Sequence, residues 1–192
     1  MSDGCFSCSG RCCYNIIVRV TPLDMWRIAS SQQLAFAEFV EPWKEVEPSD
    51  FGLRLDDTAD RYLPVLRRHP SEHAACTFLM HVADDVKRCG IYEHRPLVCQ
   101  VYPFEMHTGT VRVRDDARCQ PTDWNMATLD YRLRRDTVTR YRGELEHAAR
   151  IAADWNRRPL TPSRDDAFRG YLELAREAGS DFFTREGSLE TT

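Results

Sequence analysis

The residues most able to do chemistry are cysteines, and four of the chain's eight fall within nine residues near its start. In the spacing C-x2-C-x3-C-C, they are Cys5, Cys8, Cys12 and Cys13. Two thiolates separated by two residues on a tight turn can bind one metal ion, as they do in zinc and iron–sulfur sites. Gly10 lies inside the motif, and glycine permits the positive backbone angles that such turns need. The motif therefore predicts metal or cluster ligation.

The other four cysteines are far from this motif and from each other. They are Cys76, Cys89, Cys99 and Cys119. Either the fold brings these segments to the N-terminal motif, or it builds a second site. Two stoichiometries stay open: two four-cysteine sites, each with zinc or an iron–sulfur cluster, or one such site beside cysteines that are structural, redox-active or bound to a second ion. Cys12 and Cys13 are adjacent, so their side chains can point in different directions. Either they serve different metals, or one of them is not a direct metal ligand.

Disulfides and inert buried thiols are the competing interpretations. The start of the sequence has polar residues and a cysteine where a secretion signal would have basic and apolar regions, which predicts a cytoplasmic location. In that reducing compartment structural disulfides are rare. A buried free thiol can behave as a small hydrophobic group, but that role does not explain four cysteines in nine residues. Metal ligation is the favoured interpretation.

Composition excludes several other classes of protein. The chain has 192 residues, a formal net charge of −4 and 42% hydrophobic residues, which is typical of a globular protein. The negative charge and the pI near 5.9 argue against a nucleic-acid partner. No apolar run approaches the roughly 18 residues that a membrane helix requires, so no membrane partner is expected. No nucleophile–base set or phosphate-binding loop is evident, and no catalytic residues are assigned.

The first two thirds of the chain, residues 1–122, are predicted to form a cysteine-rich domain of short strands and helices. Residues 15–20 are β-branched and predict a strand. Thr21 and Pro22 then predict the start of a helix, with a second helical piece near residues 32–40. Apolar runs predict hairpins around residues 76–89 and 104–113, and Pro96 and Pro103 predict a short helix between them that carries Cys99.

The last third of the chain has no cysteine and is predicted to be helical. From about residue 125 to residue 156, apolar residues recur at three- and four-residue spacings, which predicts a long amphipathic helix. They are Leu129, Leu133, Tyr141, Leu145, Ala148, Ala152 and Trp155. A second helix is predicted over residues 163–178, ended by Gly179. Residues 123–185 are thus expected to form an antiparallel helical hairpin packed on the cysteine domain and able to bind a protein partner, with 186–192 as a flexible tail. The fold class predicted is α+β.

Arginines adjoin or approach several cysteines, and a cation favours the thiolate that binds metal. They are Arg11, Arg88, Arg118 and, four residues before Cys99, Arg95. Arg95 can pair with a carboxylate such as Glu93, or donate hydrogen bonds to cysteine sulfurs from outside the ligand shell. Tyr92 can cover a cluster or pack in the core.

The cysteine segments together resemble a known family, the YkgJ-type cysteine-cluster proteins, described as zinc- or iron-chelating domains. The resemblance is carried by the N-terminal motif, by Cys76-x-Phe78-Leu79, by the run C-G-I-Y-E-H-R-P-L-V-C from Cys89 to Cys99, and by Tyr102-Pro103-Phe104. It covers about residues 4–120 and implies metal ligands at Cys5, Cys8, Cys12, Cys13, Cys76, Cys89 and Cys99, with Cys119 as an eighth. It implies metal binding rather than a particular reaction.

The sequence therefore predicts a metal-binding protein that holds iron, as an iron–sulfur cluster, or zinc. Iron is slightly favoured because the second set of cysteines has no zinc-type C-x2-C pair and the thiolates are numerous. An accessory redox or iron-handling role would follow. The alternatives are a structural zinc protein whose helices bind a partner, and a metal-dependent modifying enzyme related to the larger flagellin lysine N-methylases, which share a related cysteine pattern.

Overall fold

Short helices and strands alternate through the first two thirds of the chain, and two long helices follow. The computed structural model describes residues 10–47, 49–70, 74–83, 86–118 and 130–189. The helices are α1 (Arg11–Asn15), α2 (Pro22–Gln32), α3 (Phe36–Phe39), α4 (Leu97–Val101), α5 (Tyr131–Asn156) and α6 (Arg164–Leu189). The strands are β1 (Val40–Lys44), β2 (Tyr62–Leu66), β3 (Leu79–Ala83), β4 (Val86–Cys89), β5 (Phe104–His107) and β6 (Thr110–Val113). The predicted α+β class is confirmed.

The described strands form three separate antiparallel pairs, β1–β2, β3–β4 and β5–β6. Every strand of a two-stranded sheet is an edge strand, so β1 and β2 tolerate Pro42 and Pro64, which face each other in the register. Thr108 and Gly109 turn β5 into β6 with φ values of 45° and 82°, as tight hairpin turns require. The β3–β4 and β5–β6 hairpins are those that the sequence predicted.

Packing divides the chain into two units built from discontinuous segments. Unit 1 comprises residues 1–18 and 67–142, and unit 2 comprises residues 19–66 and 143–192. The division falls within α5. The linear division into 1–122, 123–185 and 186–192, with the helical hairpin packed on the cysteine domain, stays a prediction.

Unit 2 is organised around α2 and α6. At the predicted start of α2, Thr21 and Asp24 form a capping box. The Thr21 hydroxyl accepts from the Asp24 amide at 3.0 Å, and the Asp24 carboxylate accepts from the Thr21 amide at 3.1 Å. Within this unit, α5 and α6 run antiparallel. The ring of Trp155 lies 6.0 Å from that of Tyr171, and the ring of His147 lies 5.6 Å from that of Phe182, so the paired positions run in opposite order.

Two predictions about local structure are wrong. Residues 15–20 do not form a strand: Asn15 ends α1, and only Arg19 makes an isolated bridge, with Val65. Gly179 does not end the last helix, which continues to Leu189. Gly179 is instead where α6 approaches Trp26, because a Cβ at this position would lie 2.8 Å from the Trp26 Cβ.

The two units differ in how much apolar core they contain. Among the described residues, seven buried hydrophobic side chains belong to unit 1 and 21 to unit 2. The seven in unit 1 are Val18, Ala75, Ile91, Leu97, Val101, Phe104 and Val138. The described part of unit 1 therefore gains less from hydrophobic burial than the described part of unit 2 does.

Candidate metal centre

All eight cysteine positions fall in the segments that make up unit 1. Five of them lie among the described residues, and each is half-buried and in no disulfide bond: Cys12, Cys13, Cys76, Cys89 and Cys99. Cys12 and Cys13 are on α1, Cys89 ends β4, and Cys99 is on α4. The predicted ligands Cys5, Cys8 and Cys119 lie outside the described residues.

Gly10 and a backbone hydrogen bond place α1 against the segments that carry Cys76 and Cys89. Gly10 has φ 73°, and a Cβ there would lie 3.2 Å from Leu79 of β3 and 3.3 Å from Lys87 of β4. Only glycine combines that backbone angle with so close an approach. The Cys76 amide donates to the Cys13 carbonyl at 2.8 Å. The first cysteine pair is thus fixed beside Cys76.

The β3–β4 hairpin and α4 position the two remaining described cysteines. Cys89 lies opposite Leu79 in the hairpin register. The helix α4 begins directly after Pro96, whose carbonyl accepts from the Cys99 amide at 2.9 Å, and it ends before Pro103. This is the short helix that the two prolines predicted, because proline fits a helix start and cannot continue a helix interior.

Cys12 and Cys13 form a coupled thiol pair, with their Sγ atoms 4.0 Å apart. A hydrogen bond from the Cys13 thiol lowers the pKa of Cys12 to about 7 against the effect of burial, and the charge of Arg95 adds to the lowering. The same hydrogen bond, with burial and the charges of Cys12, Cys76 and Cys99, raises the pKa of Cys13. Of the two thiols, Cys12 is thus the one that ionises more readily.

Burial opposes ionisation at the two cysteines beside the hairpin. It raises the pKa of Cys76 to about 11, with added repulsion from Cys89 and Cys12. It also raises the pKa of Cys89, while a backbone hydrogen bond from Ile91 and the charge of Arg95 act in the opposite direction. The thiols are thus close enough to influence each other's ionisation. A bound metal cation would relieve this mutual repulsion.

The described part of the chain does not by itself hold a closed set of metal ligands. Among the described residues, no group of three or more His, Cys, Asp or Glu side chains is arranged to hold a metal ion. The chemistry of the donors nevertheless fits, because thiolate sulfur is the ligand of structural zinc and of iron–sulfur clusters.

Arg95 is the charged side chain most directly associated with these thiols. Its Nη1 donates to the Tyr92 carbonyl at 2.8 Å, and its guanidinium lies 3.8 Å from the centre of the Tyr92 ring. Its Nε is buried and has no hydrogen-bond partner among the described residues. Glu93 is exposed and forms no ion pair with Arg95 within the described part of the chain. Tyr92 therefore holds the guanidinium in place, and Nε remains available as a donor.

A further arginine besides Arg95 lies near the described cysteines. Arg11, Arg88 and Arg118, each next to a cysteine in the sequence, have exposed side chains. Arg68 was not predicted, and its charge favours the thiolate of Cys76. It also donates to the Tyr14 carbonyl at 2.6 Å, next to Cys13. Its place in the site follows from an isolated bridge between Arg68 and Cys76, which local sequence does not reveal.

Comparison with known proteins gives one match. A family model named CxxCxxCC, described as "Putative zinc- or iron-chelating domain", matches residues 4–120. No curated protein and no solved structure matches the chain. In the described part of the chain, no helix combines the length and the hydrophobicity needed to cross a membrane.

Proposed function

The chain belongs to the CxxCxxCC family of zinc- or iron-chelating domains, and from this membership we propose that unit 1 holds iron, as an iron–sulfur cluster, through its cysteine thiolates. The observation that carries the proposal is the gathering of five half-buried cysteines from separate segments of unit 1. Their ionisation is linked, and Arg95 acts on two of them. A bound cluster would supply one-electron chemistry, which suits an accessory redox or iron-handling role.

The proposed ligands are the eight cysteines of unit 1. Within the described residues these are Cys12, Cys13, Cys76, Cys89 and Cys99. Cys5 and Cys8 would complete the N-terminal motif, and Cys119 is the eighth candidate. The linked ionisation of the five described thiols supports a shared centre, although cysteines that hold separate metals would also interact.

The sparse core of unit 1 also supports a structural role for a metal. Units with few buried apolar side chains often depend on metals or disulfides for stability. The described cysteines are free thiols, so disulfides do not supply this stabilisation there. We infer that metal binding contributes to the folding free energy of unit 1.

The distribution of charge is consistent with a site rich in thiolates. Unit 1 contains 14 Lys and Arg against 11 Asp and Glu, a net charge of +3, whereas unit 2 contains 12 against 19, a net charge of −7. Thiolates bound to metal add negative charge, and the excess of arginine in unit 1 offsets it. The proposal keeps the cytoplasmic location predicted from the sequence, where thiols stay reduced and able to bind metal.

The test is to purify the full chain without oxygen and to measure its iron, zinc, sulfide and visible absorption. We expect a coloured protein that contains iron and sulfide. The variant Cys76→Ser/Cys89→Ser should lose both, because it removes two of the proposed ligands. The control is Thr77→Ala, which changes the residue next to Cys76 without removing a thiol.

Two outcomes would contradict the iron proposal. A colourless protein with bound zinc would favour the alternative of a structural zinc protein whose C-terminal helices bind a protein partner. A protein that contains neither metal under these conditions would overturn metal chelation by this chain altogether.

A further inference from the structure

Unit 2 contains an open groove that plays no part in the proposed metal site. It has a volume of about 410 Å³ and lies between α6 on one side and α2, α3 and their connection on the other. This volume is in the range typical of small-molecule sites, about 300–1,000 Å³. On α6 the lining residues extend from Arg169 to Ser180, which are eleven positions apart in the chain. This separation corresponds to about 16 Å along the helix axis. The groove is therefore long enough for a chain-like molecule.

The floor of the groove is apolar. It is formed by Trp26, Ala29, Leu34, Phe36 and Leu172. Trp26 is held in place because its ring stacks on Phe183 at 4.3 Å and its Cβ packs against Gly179. The small side chain of Ala29 leaves the space open, and a larger residue there would fill it.

Two arginines lie at the rim of the groove. Arg169 and Arg176 line it together with one acidic residue, Glu173. The two arginines lie two turns apart on one face of α6. Arg169 pairs with Asp166 at 3.0 Å and Arg176 with Glu173 at 2.8 Å, and both arginine side chains are more than half exposed. Exposed ion pairs of this kind are weak, so the guanidinium groups can turn to a ligand.

We propose that this groove binds a small amphipathic anion, with its apolar chain on the floor and a carboxylate or phosphate head at Arg169 and Arg176. Burial of the chain would provide most of the affinity. The charge-assisted hydrogen bonds of arginine would select an anionic head over a cationic one. The site is independent of the metal in unit 1.

The test is calorimetric titration of the metal-loaded full chain with probes that share a ten-carbon chain. Decanoate should bind with one molecule per chain below its micellar concentration. Decyltrimethylammonium should bind at least about tenfold more weakly, and acetate should not bind. Decyl phosphate distinguishes the two heads, and tighter binding than that of decanoate would identify phosphate as the preferred one.

Variants locate the binding in the groove. In Arg169→Gln/Arg176→Gln the affinity for decanoate should fall about tenfold, whereas Arg157→Gln, at an exposed arginine that directly follows α5 and does not line the groove, should leave it unchanged. Ala29→Leu should abolish binding without lowering the thermal midpoint. Ala37→Leu, which also narrows the groove, serves if Ala29→Leu does not fold.

Several results would overturn the proposal. They are equal affinity for the anionic and cationic probes, unchanged affinity in the double arginine variant, and no binding of decanoate. The last result would leave the groove as a docking position for an apolar segment of another protein.

Discussion

At the scale of the single residue, Arg95 has a buried hydrogen-bond donor that lacks an acceptor among the described residues. Its guanidinium is held by the ring and the carbonyl of Tyr92, yet its Nε is buried without a hydrogen bond among the described residues. A buried donor without a partner costs about 1–3 kcal/mol. A hydrogen bond from Nε to a metal-bound sulfur would remove this cost, since Arg95 already influences Cys12 and Cys89. We propose that Arg95 orients and stabilises the sulfur ligands.

Replacing Arg95 tests this role through retention of the metal. In Arg95→Ala we expect the metal to be released to a chelator about tenfold faster or more, the usual effect of losing a hydrogen bond to a ligand. Arg95→Lys keeps the charge but loses the fixed Nε–H, so it should restore retention only in part. Release can be followed by absorption. Arg135→Ala, an exposed arginine of unit 1, is the control, and equal release from Arg95→Ala and the unmodified protein would disprove the role.

Two glycines in the long helices α5 and α6 have opposite surroundings. Gly179 on α6 has no room for a Cβ because Trp26 is 2.8 Å away, whereas Gly143 on α5 has no atom within 4 Å of the position of a Cβ. Both lie inside helices, where alanine is intrinsically favoured over glycine by about 1 kcal/mol.

The same substitution should therefore have opposite effects at the two sites. Gly143→Ala should raise the free energy of unfolding by about 0.5–1 kcal/mol. Gly179→Ala should lower it by about 1–3 kcal/mol, because the backbones of α2 and α6 must move apart. Urea denaturation measures both changes. If Gly179→Ala stabilised the protein as Gly143→Ala does, that result would contradict the close packing of α6 on Trp26 at this position.

At the scale of elements, a buried ionic network fixes the start of α2 against α5 in unit 2. Glu144 accepts from Arg27 at 2.7 and 2.8 Å and from the Thr21 hydroxyl at 3.2 Å. Arg27 also pairs with Asp24 at 2.5 Å. Burial alone would lower the pKa of Arg27, but Glu144 and Asp24 together raise it above its ordinary value. The capping box of α2 and the position of α5 are thus held by one set of side chains.

Removing Glu144 should be costly because it leaves a buried cation with only one partner. We expect Glu144→Ala to lower the free energy of unfolding by about 3 kcal/mol. Glu146→Ala, at an exposed position of the same helix, should change it by less than about 0.5 kcal/mol. Chemical denaturation of both variants measures the difference. Equal effects would show that the network does not contribute to stability.

At the scale of the whole molecule, the chain separates an apolar unit from a cysteine-rich one. Unit 2 contains 21 of the buried hydrophobic side chains among the described residues, and unit 1 contains seven. Unit 1 also has a net positive charge and contains all eight cysteines of the sequence. We therefore expect the stability of the two units to depend differently on the metal.

Metal removal should loosen unit 1 selectively. After chelation we expect faster amide hydrogen exchange in residues 86–101, which carry two of the described cysteines, because the metal no longer links their segments. Exchange in residues 22–32 and 164–180 of unit 2 should stay the same, since their apolar core is unaffected. Mass spectrometry resolves these segments, and adding metal back should restore protection. An equal change in both units, or none, would contradict a stabilising metal in unit 1.

Features governed by neighbouring residues could be predicted from the sequence. The capping box of Thr21 and Asp24, the turn at Thr108 and Gly109, and the helix before Pro103 each depend on interactions within a few positions. The cysteine spacing indicated metal chelation for the same reason, because ligand type and local spacing specify the chemistry of a site. The family model supports this general function.

Features governed by distant residues required the tertiary structure. Residues 15–20 have the composition of a strand, but only Arg19 finds a pairing partner. Periodicity along α5 predicted an inward Leu133, yet Leu133 is 56% exposed while Glu144 is buried, because Arg27 and Thr21 of another segment satisfy its carboxylate. The sequence by itself indicated metal chelation by cysteine and the places of several short elements, such as the helix before Pro103 and the hairpin over residues 104–113. Only the tertiary structure decided which thiols share a neighbourhood, since that depends on contacts between segments that packing alone brings together. It also decided that Tyr92, rather than Glu93, holds Arg95, because the path of the backbone between residues 92 and 95 puts the guanidinium on the ring and the carbonyl of Tyr92.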